Sequence, residues 1–284
     1  MVFVIVFLIC FCASIIGAIC GIGGGVIIKP VLDMFGLAGV STISFLSGCT
    51  VIAMSCYSVG KNLLARENRV DFAIGTPLAI GAAVGGVLGK QLFSIIKAMF
   101  ENGNRVGSVQ AVCLALVTLG TFVYTIKKDR IKTLQITNKA VCVLAGLVLG
   151  VMSSFLGIGG GPINLVVLFY LFSMDTKTAA QNSLYVILFS QIAGLITTLV
   201  TRSVPEFEVL ALVFMVAGGI GGGMAGRKFN QKMDNKAVDK LFLCLMAVII
   251  LISCYNAVKY AMCCGGFESA VQTVWQQLCL RRRI

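Results

Sequence analysis

Long apolar stretches, nearly free of charge, alternate with short polar connections along the whole chain. They occupy residues 2–20, 42–60, 72–89, 106–126, 140–156, 183–200, 209–226 and 241–258. Most approach the ~20 residues with which an α-helix crosses ~30 Å of hydrocarbon. The pattern predicts an all-α polytopic membrane protein with about eight full spans. The first stretch, MVFVIVFLICFCASIIGAIC, lacks a basic segment at its start, and the Ile-Cys-Gly at its end is a poor cleavage site for a secretory signal. It is read as a retained transmembrane helix.

Two shorter apolar pieces, 26–36 and 162–173, break the regularity. Each would reach only ~18 Å as a helix, about half the hydrocarbon. Each follows the same five letters, Gly21-Ile22-Gly23-Gly24-Gly25 and Gly157-Ile158-Gly159-Gly160-Gly161, at an offset of 136. A longer helix is expected to begin after each piece, near Ser41 and near Thr178. A second match lays GGVLGKQL (85–92) on GGGMAGRKF (221–229), Gly85 on Gly222, at an offset of 137. Order and spacing are both kept, so the chain reads as a duplication. The first transmembrane repeat covers 1–126, a basic cytoplasmic linker 127–137, the second repeat 138–260 and a C-terminal tail 261–284. With the short piece counted, each half holds an odd number of segments. That arithmetic predicts a second half inverted relative to the first, with broken or half helices at the GIGGG turns.

Basic residues cluster between the spans: Lys127, Lys128, Arg130, Lys132 and Lys139; Arg227, Lys228, Lys232, Lys236 and Lys240; and Lys61, Arg66 and Arg69. The positive-inside rule makes these connections cytoplasmic, and Arg202, Glu206 and Glu208 mark an external one. Lys97, Arg105 and Arg281–Arg283 fall on the external side in this arrangement and resist it. The net charge of +12 therefore reports orientation in a bilayer, not a nucleic-acid partner. Val271, Val274, Trp275 and Leu278 share one helical face in 266–284, which predicts an interfacial amphipathic helix.

Composition agrees with a chain dissolved in lipid. Of 284 residues 58% are apolar and 12% charged, where a soluble domain carries about a quarter charged. The expected location is the cell membrane, crossed many times. The absence of histidine excludes Ser-His and Cys-His catalysis. The twelve cysteines contain no CxxC pair and lie mostly inside apolar spans, so neither a metal site nor a cofactor is expected. Cys20 and Cys49 lie nearest the glycine turns, and Cys263-Cys264 is the pair most open to reaction.

The glycines carry the candidate chemistry. In lipid, non-helical backbone is tolerated only where it is buried in protein or lines a cavity. A helix start follows each cluster, with Pro162 placed in the first turn of the second. Helix N-termini present unpaired N–H groups and the positive end of the dipole, which favour anions. Two such ends facing one another would hold a small anion through Gly21, Gly23, Gly24, Gly25, Gly157, Gly159, Gly160 and Gly161. Asn164, Gln181, Asn182 and Ser183 supply neutral donors near the second turn; Ser44 and Ser47, with Thr50 close by, supply them near the first. Lys29 either pairs with Asp33 or adds positive charge to the site. The glycines of 81–89 and 218–226 are assigned to close helix packing. A dinucleotide fingerprint needs a preceding strand, which the flanking spans do not offer.

At these residues the chain resembles the sulfite exporter TauE/SafE family of membrane proteins. The resemblance rests on the paired GIGGG turns with Pro30 and Pro162 nearby, on TKTAAQNSLYVI (176–187), and on the glycine-rich spans; it covers roughly 10–258. It implies transport of sulfite, organosulfonates or related sulfur anions. The family commonly has an apolar residue where Lys29 stands, and GVSTISFLSGC is less polar than the stretch after the second turn. Three functions follow: a secondary transporter working by alternating access, a cysteine-using membrane sulfur-transfer protein, and an anion channel. The expected partners are a small inorganic or organic sulfur oxyanion and the lipid bilayer. A homo-oligomer stays open, because glycine-rich faces serve internal packing and dimer contacts alike.

Overall fold

The computed structural model describes residues 2–64, 69–99 and 103–262. All regular structure among them is helical. Ten α-helices follow in order: α1 Val2–Cys20, α2 Gly25–Phe35, α3 Val40–Leu63, α4 Phe72–Met99, α5 Gly103–Lys127, α6 Lys139–Leu156, α7 Pro162–Phe172, α8 Thr176–Val200, α9 Val209–Lys232 and α10 Asn235–Met262. Eight of them are long and apolar enough to cross a membrane; α2 and α7, of 11 residues each, are not. The two short apolar pieces of the sequence are thus helices in their own right. α4 and α10 run past the apolar stretches that announced them, since a helix continues through the interface after the hydrocarbon ends. Residues 266–284 and Cys263-Cys264 lie outside the described residues.

Local chemistry sets the helix boundaries. Asn138 caps α6, its side-chain oxygen accepting from the Ala140 N–H at 2.9 Å. α6 ends at Gly157 and α2 at Gly36, both in the left-handed region at φ 65° and 61°. Pro162 opens α7, where the N–H it lacks would have no helical partner.

Two helix pairs form the walls. α1 lies along α9 and α4 along α6, each pair running in the same direction. A Cβ built on Gly218, Gly222 or Gly226 would stand 2.8, 2.3 or 2.4 Å from the carbonyl oxygens of Phe7, Phe11 and Ile15. On Gly81, Gly85 or Gly89 it would stand 2.0, 2.1 or 2.5 Å from those of Val143, Leu147 and Val151. Only glycine lets the backbones approach so far, and these glycines are packing residues. The three carbonyl contacts of the first pair recur in the second, shifted by the two offsets found in the sequence.

The basic connections gather at one end of the bundle. There Lys128 pairs with Asp239, Arg69 with Asp175 at 3.8 Å, and Arg227 reaches the Lys61 carbonyl at 3.2 Å. At the other end Thr42 donates to the Glu206 carbonyl at 3.1 Å and Lys259 to that of Met34 at 3.2 Å. Each short helix returns to the end where its preceding long helix began. α2 follows the last part of α10, whose Asn256 amide donates to the Pro30 carbonyl at 2.8 Å. α7 finishes at the basic end, where Tyr170 and Leu171 accept from the N–H groups of Leu134 and Ile136 at 2.8 Å.

Candidate functional site

The chain between α1 and α2 turns on Gly21 and Gly23, at φ 74° and 69°; between α6 and α7 it turns on Gly157, Gly159 and Gly160, at 65°, 74° and 118°. These are left-handed conformations that side chains disfavour. The two turns meet inside the protein. A Cβ on Gly23 would lie 3.5 Å from the Gly159 carbonyl oxygen, and one on Gly25 2.3 Å from that of Ile158. Gly24 precedes α2 and Gly161 precedes α7, and neither helix start receives a side-chain cap. Both are buried; the Ile27 and Asn164 N–H groups bond back to the Gly24 and Gly161 carbonyls at 3.0 and 3.1 Å, and Pro162 has no N–H to offer.

α3 and α8 press one face each against these turns. On α3, Ser44 touches the Gly157 position and Val51 the Gly159 position, at 2.7 and 2.8 Å from a built Cβ. On α8, Ala180 meets Gly21 at 2.3 Å and Ile187 meets Gly160 at the same distance. Ser47 and Ser183 lie between these contacts on the same helical stripes. Both serines are fully buried and neither hydroxyl has a hydrogen-bond partner. The Asn164 side chain completes the group: it is 2% exposed, its carbonyl oxygen is unpartnered, and its amide nitrogen lies 3.4 Å from the Gly160 Cβ position. A small space beside the second turn is lined by Ser153, Gly160, Gly161, Pro162, Asn164 and Leu114. Buried, unbonded polar atoms are costly unless something satisfies them.

Lys29 takes the first of the two roles the sequence left open, the pairing with Asp33. Its ammonium stands 3.5 Å from Asp33 and donates to the Gln110 side-chain oxygen at 2.7 Å. Gln110 in turn donates to the Phe155 carbonyl at 2.6 Å, just ahead of the second glycine turn. The Lys29 stem passes 3.5 Å from the Gly157 Cβ position. Tyr260 and Lys259 stand beside the same Asp33 carboxylate. At the offset of the glycine turns Lys29 and Asp33 correspond to Leu165 and Phe169, which belong to the apolar core.

Other expected residues have neighbours of their own within the protein. The Asn182 amide donates to the carbonyls of Arg69 and Thr178 and accepts from the Asp71 N–H, at 3.1, 2.9 and 3.1 Å. Gln181 accepts from the Arg69 N–H at 3.2 Å. Both therefore fasten the stretch before α4. Thr50 turns to its own helix, bonding the Leu46 carbonyl at 2.9 Å, and packs on Gly219. Cys20 is fully buried, while Cys49 lies near Lys90. Val51, Ile187 and Gln110 also stand at or just before the turns, though none is marked by its residue type. The first two are counterparts at the offset of the glycine turns, so the repeat itself held the signal; Gln110 had none.

Eight crossing-length helices with two short helices folded back between them make a multi-pass membrane protein. Residues 6–252 match the family of the sulfite exporter TauE/SafE, and the chain belongs to that family. It is 25% identical over 280 residues to the probable membrane transporter protein YunE of Bacillus subtilis (strain 168), covering 89% of this chain and 97% of that protein. It is 23% identical over 250 residues to the probable membrane transporter protein YdhB of the same organism, covering 87% and 98%. No solved structure matches the chain.

Proposed function

We propose that this transporter is a secondary carrier that moves a small sulfur-containing anion, such as sulfite or an organosulfonate, by alternating access. The observation that carries the reading is the meeting of two buried glycine turns, each leading into a helix without a side-chain cap, under the helix faces that carry the unbonded hydroxyls of Ser47 and Ser183. An oxyanion placed there accepts from the first N–H groups of α2 and α7, with both helix dipoles directed at it. Ser47 and Ser183 donate to its remaining oxygens, and so does the Asn164 amide. All of these donors are neutral, so the anion is held without a permanent counter-charge in contact and can leave again. Lys29, tied to Gln110 and Asp33, adds positive potential from one side. Sulfur rests on the family's name; the site itself favours a small anion of several oxygens.

The two repeats are the moving bodies in this reading. The repeated contacts of α1 with α9 and α4 with α6, and the return of α2 and α7 to opposite ends, support an inverted arrangement with the site at the pseudo-two-fold. Rocking one half against the other then exposes the same anion to either side. The test is radiolabelled sulfite exchange in proteoliposomes, with sulfate, thiosulfate and sulfoacetate as competitors. The carrier shows saturable exchange that is accelerated by sulfite on the opposite side. Unsaturable flux with unitary currents assigns a channel, and absence of flux for every anion rejects the reading.

A further inference from the structure

The register that packs α1 on α9 and α4 on α6 also sets one cation beside each pair. Arg227 follows Gly226, whose Cβ would stand 2.4 Å from the Ile15 carbonyl; Lys90 follows Gly89, whose Cβ would stand 2.5 Å from that of Val151. The two are counterparts at the offset of 137, and both are basic.

Arg227 lines a cavity with Ser58, Asn62, Gln181, Asn230 and Ala180. Ala180 is the residue that packs against Gly21, so the wall of the cavity is also the support of the first glycine turn. The cavity lies at the end of the bundle that carries the basic connections. The guanidinium donates to the Asn62 side-chain oxygen at 2.8 Å and the Lys61 carbonyl at 3.2 Å, both neutral groups. Among the described residues no carboxylate lies within ion-pair distance of it. Ser58 is 1% exposed and its hydroxyl has no partner. A charged donor, amides and a free hydroxyl line this space, and nothing described there neutralises the charge.

Lys90 occupies the matching place. Its Cε lies 3.5 Å from the Gly194 Cβ position, as does the Ser154 hydroxyl oxygen, which is buried and unpartnered. The repeat lays Ser58 on Gly194 and Ala18, which lines the Arg227 cavity, on Ser154. No carboxylate pairs with Lys90 among the described residues either.

We propose that Arg227 and Lys90 are a pair of loading subsites for a small oxyanion, one on each approach to the paired glycine turns. The inference rests on the carrier reading above and adds which residues meet the anion before it reaches the centre. Arg227 receives it from the basic end through its guanidinium, with Asn230 and Ser58 completing the contact. Lys90 and Ser154 do the same from the opposite end.

The experiment has two arms. In the first, sulfoacetate transport is measured in proteoliposomes in which only one orientation is left active. Arg227→Gln raises the KM for anion entering from the basic end about tenfold, the loss expected for one charge-assisted hydrogen bond. It leaves the KM from the opposite end within about twofold. Lys90→Gln gives the reverse, and Arg227→Lys recovers most of the first effect. The second arm uses the unaltered protein: sulfoacetate slows modification of Arg227 by phenylglyoxal, read from the peptide mass. Equal KM changes from both ends, or no protection of Arg227, overturn the proposal. Protection of Arg227 in vesicles that carry no flux upholds the subsite while rejecting the carrier, so the two failures are distinguishable.

Discussion

Gly25 and Ile158 meet so closely that a Cβ on the glycine would stand 2.3 Å from the isoleucine carbonyl oxygen. The first residue of one short helix is thus seated on the turn that leads to the other. Gly25→Ala must push the two turns apart, an overpacking that costs about 1–3 kcal/mol. It is expected to lower the melting temperature in detergent. Gly60→Ala is the contrast: nothing lies within 4 Å of its Cβ position, on α3. It is expected to leave stability unchanged or raise it by up to about 1 kcal/mol.

Lys29 and Asp33 form a pair whose side chains are 4% and 7% exposed. Removing Asp33 leaves the buried Lys29 ammonium without a counter-ion, which costs about 3–5 kcal/mol, and removing Lys29 leaves Asp33 with only Tyr260 and Lys259 beside it. Lys29→Leu and Asp33→Phe are each expected to cut the yield of folded protein sharply. The double variant installs the apolar pair that the second half carries at Leu165 and Phe169, and is expected to recover much of it. Size-exclusion profiles and thermal melts of the three proteins check this.

Asn182 holds Asp71 and Arg69 by their backbones. Asn182→Ala leaves those groups unpaired at a cost of about 1–3 kcal/mol. Hydrogen exchange at the Asp71 amide is expected to accelerate, while sulfite flux per folded molecule holds. Loss of flux with unchanged exchange would return Asn182 to the anion site.

Gly85→Ala and Gly222→Ala insert a methyl at matching places, 2.1 and 2.3 Å from the carbonyls of Leu147 and Phe11. The two variants are expected to lower the melting temperature by similar amounts. A large effect from one alone would mean that the walls do not bear equal loads.

The sequence foretold much of the fold, because transmembrane helices announce themselves by length and apolarity. α3 and α8 start at Val40 and Thr176, close to the expected Ser41 and Thr178, and the short helices came out as separate segments. The glycine turns were legible since few residues other than glycine accept a left-handed backbone, and the repeat marked their pairing. Side-chain commitments were harder to read. Asn182 looks like a donor to an anion as long as its neighbours are unknown; only the path of 69–71 beside α8 shows where its bonds go. Lys29 likewise shows Asp33 at helical spacing, but Gln110 is remote in the chain and bears no mark of the contact.

The measurement that bears most directly on the paired turns is equilibrium binding of sulfite to the purified protein, alone and as the Ser47→Ala/Ser183→Ala double variant. Neither hydroxyl is bonded to the protein, so their removal spares the fold while taking two donors from the anion. Saturable binding that weakens at least about tenfold in the folded double variant is the expected result. Equal affinity in both proteins, or no binding to the unaltered one, would contradict an anion held between α2 and α7.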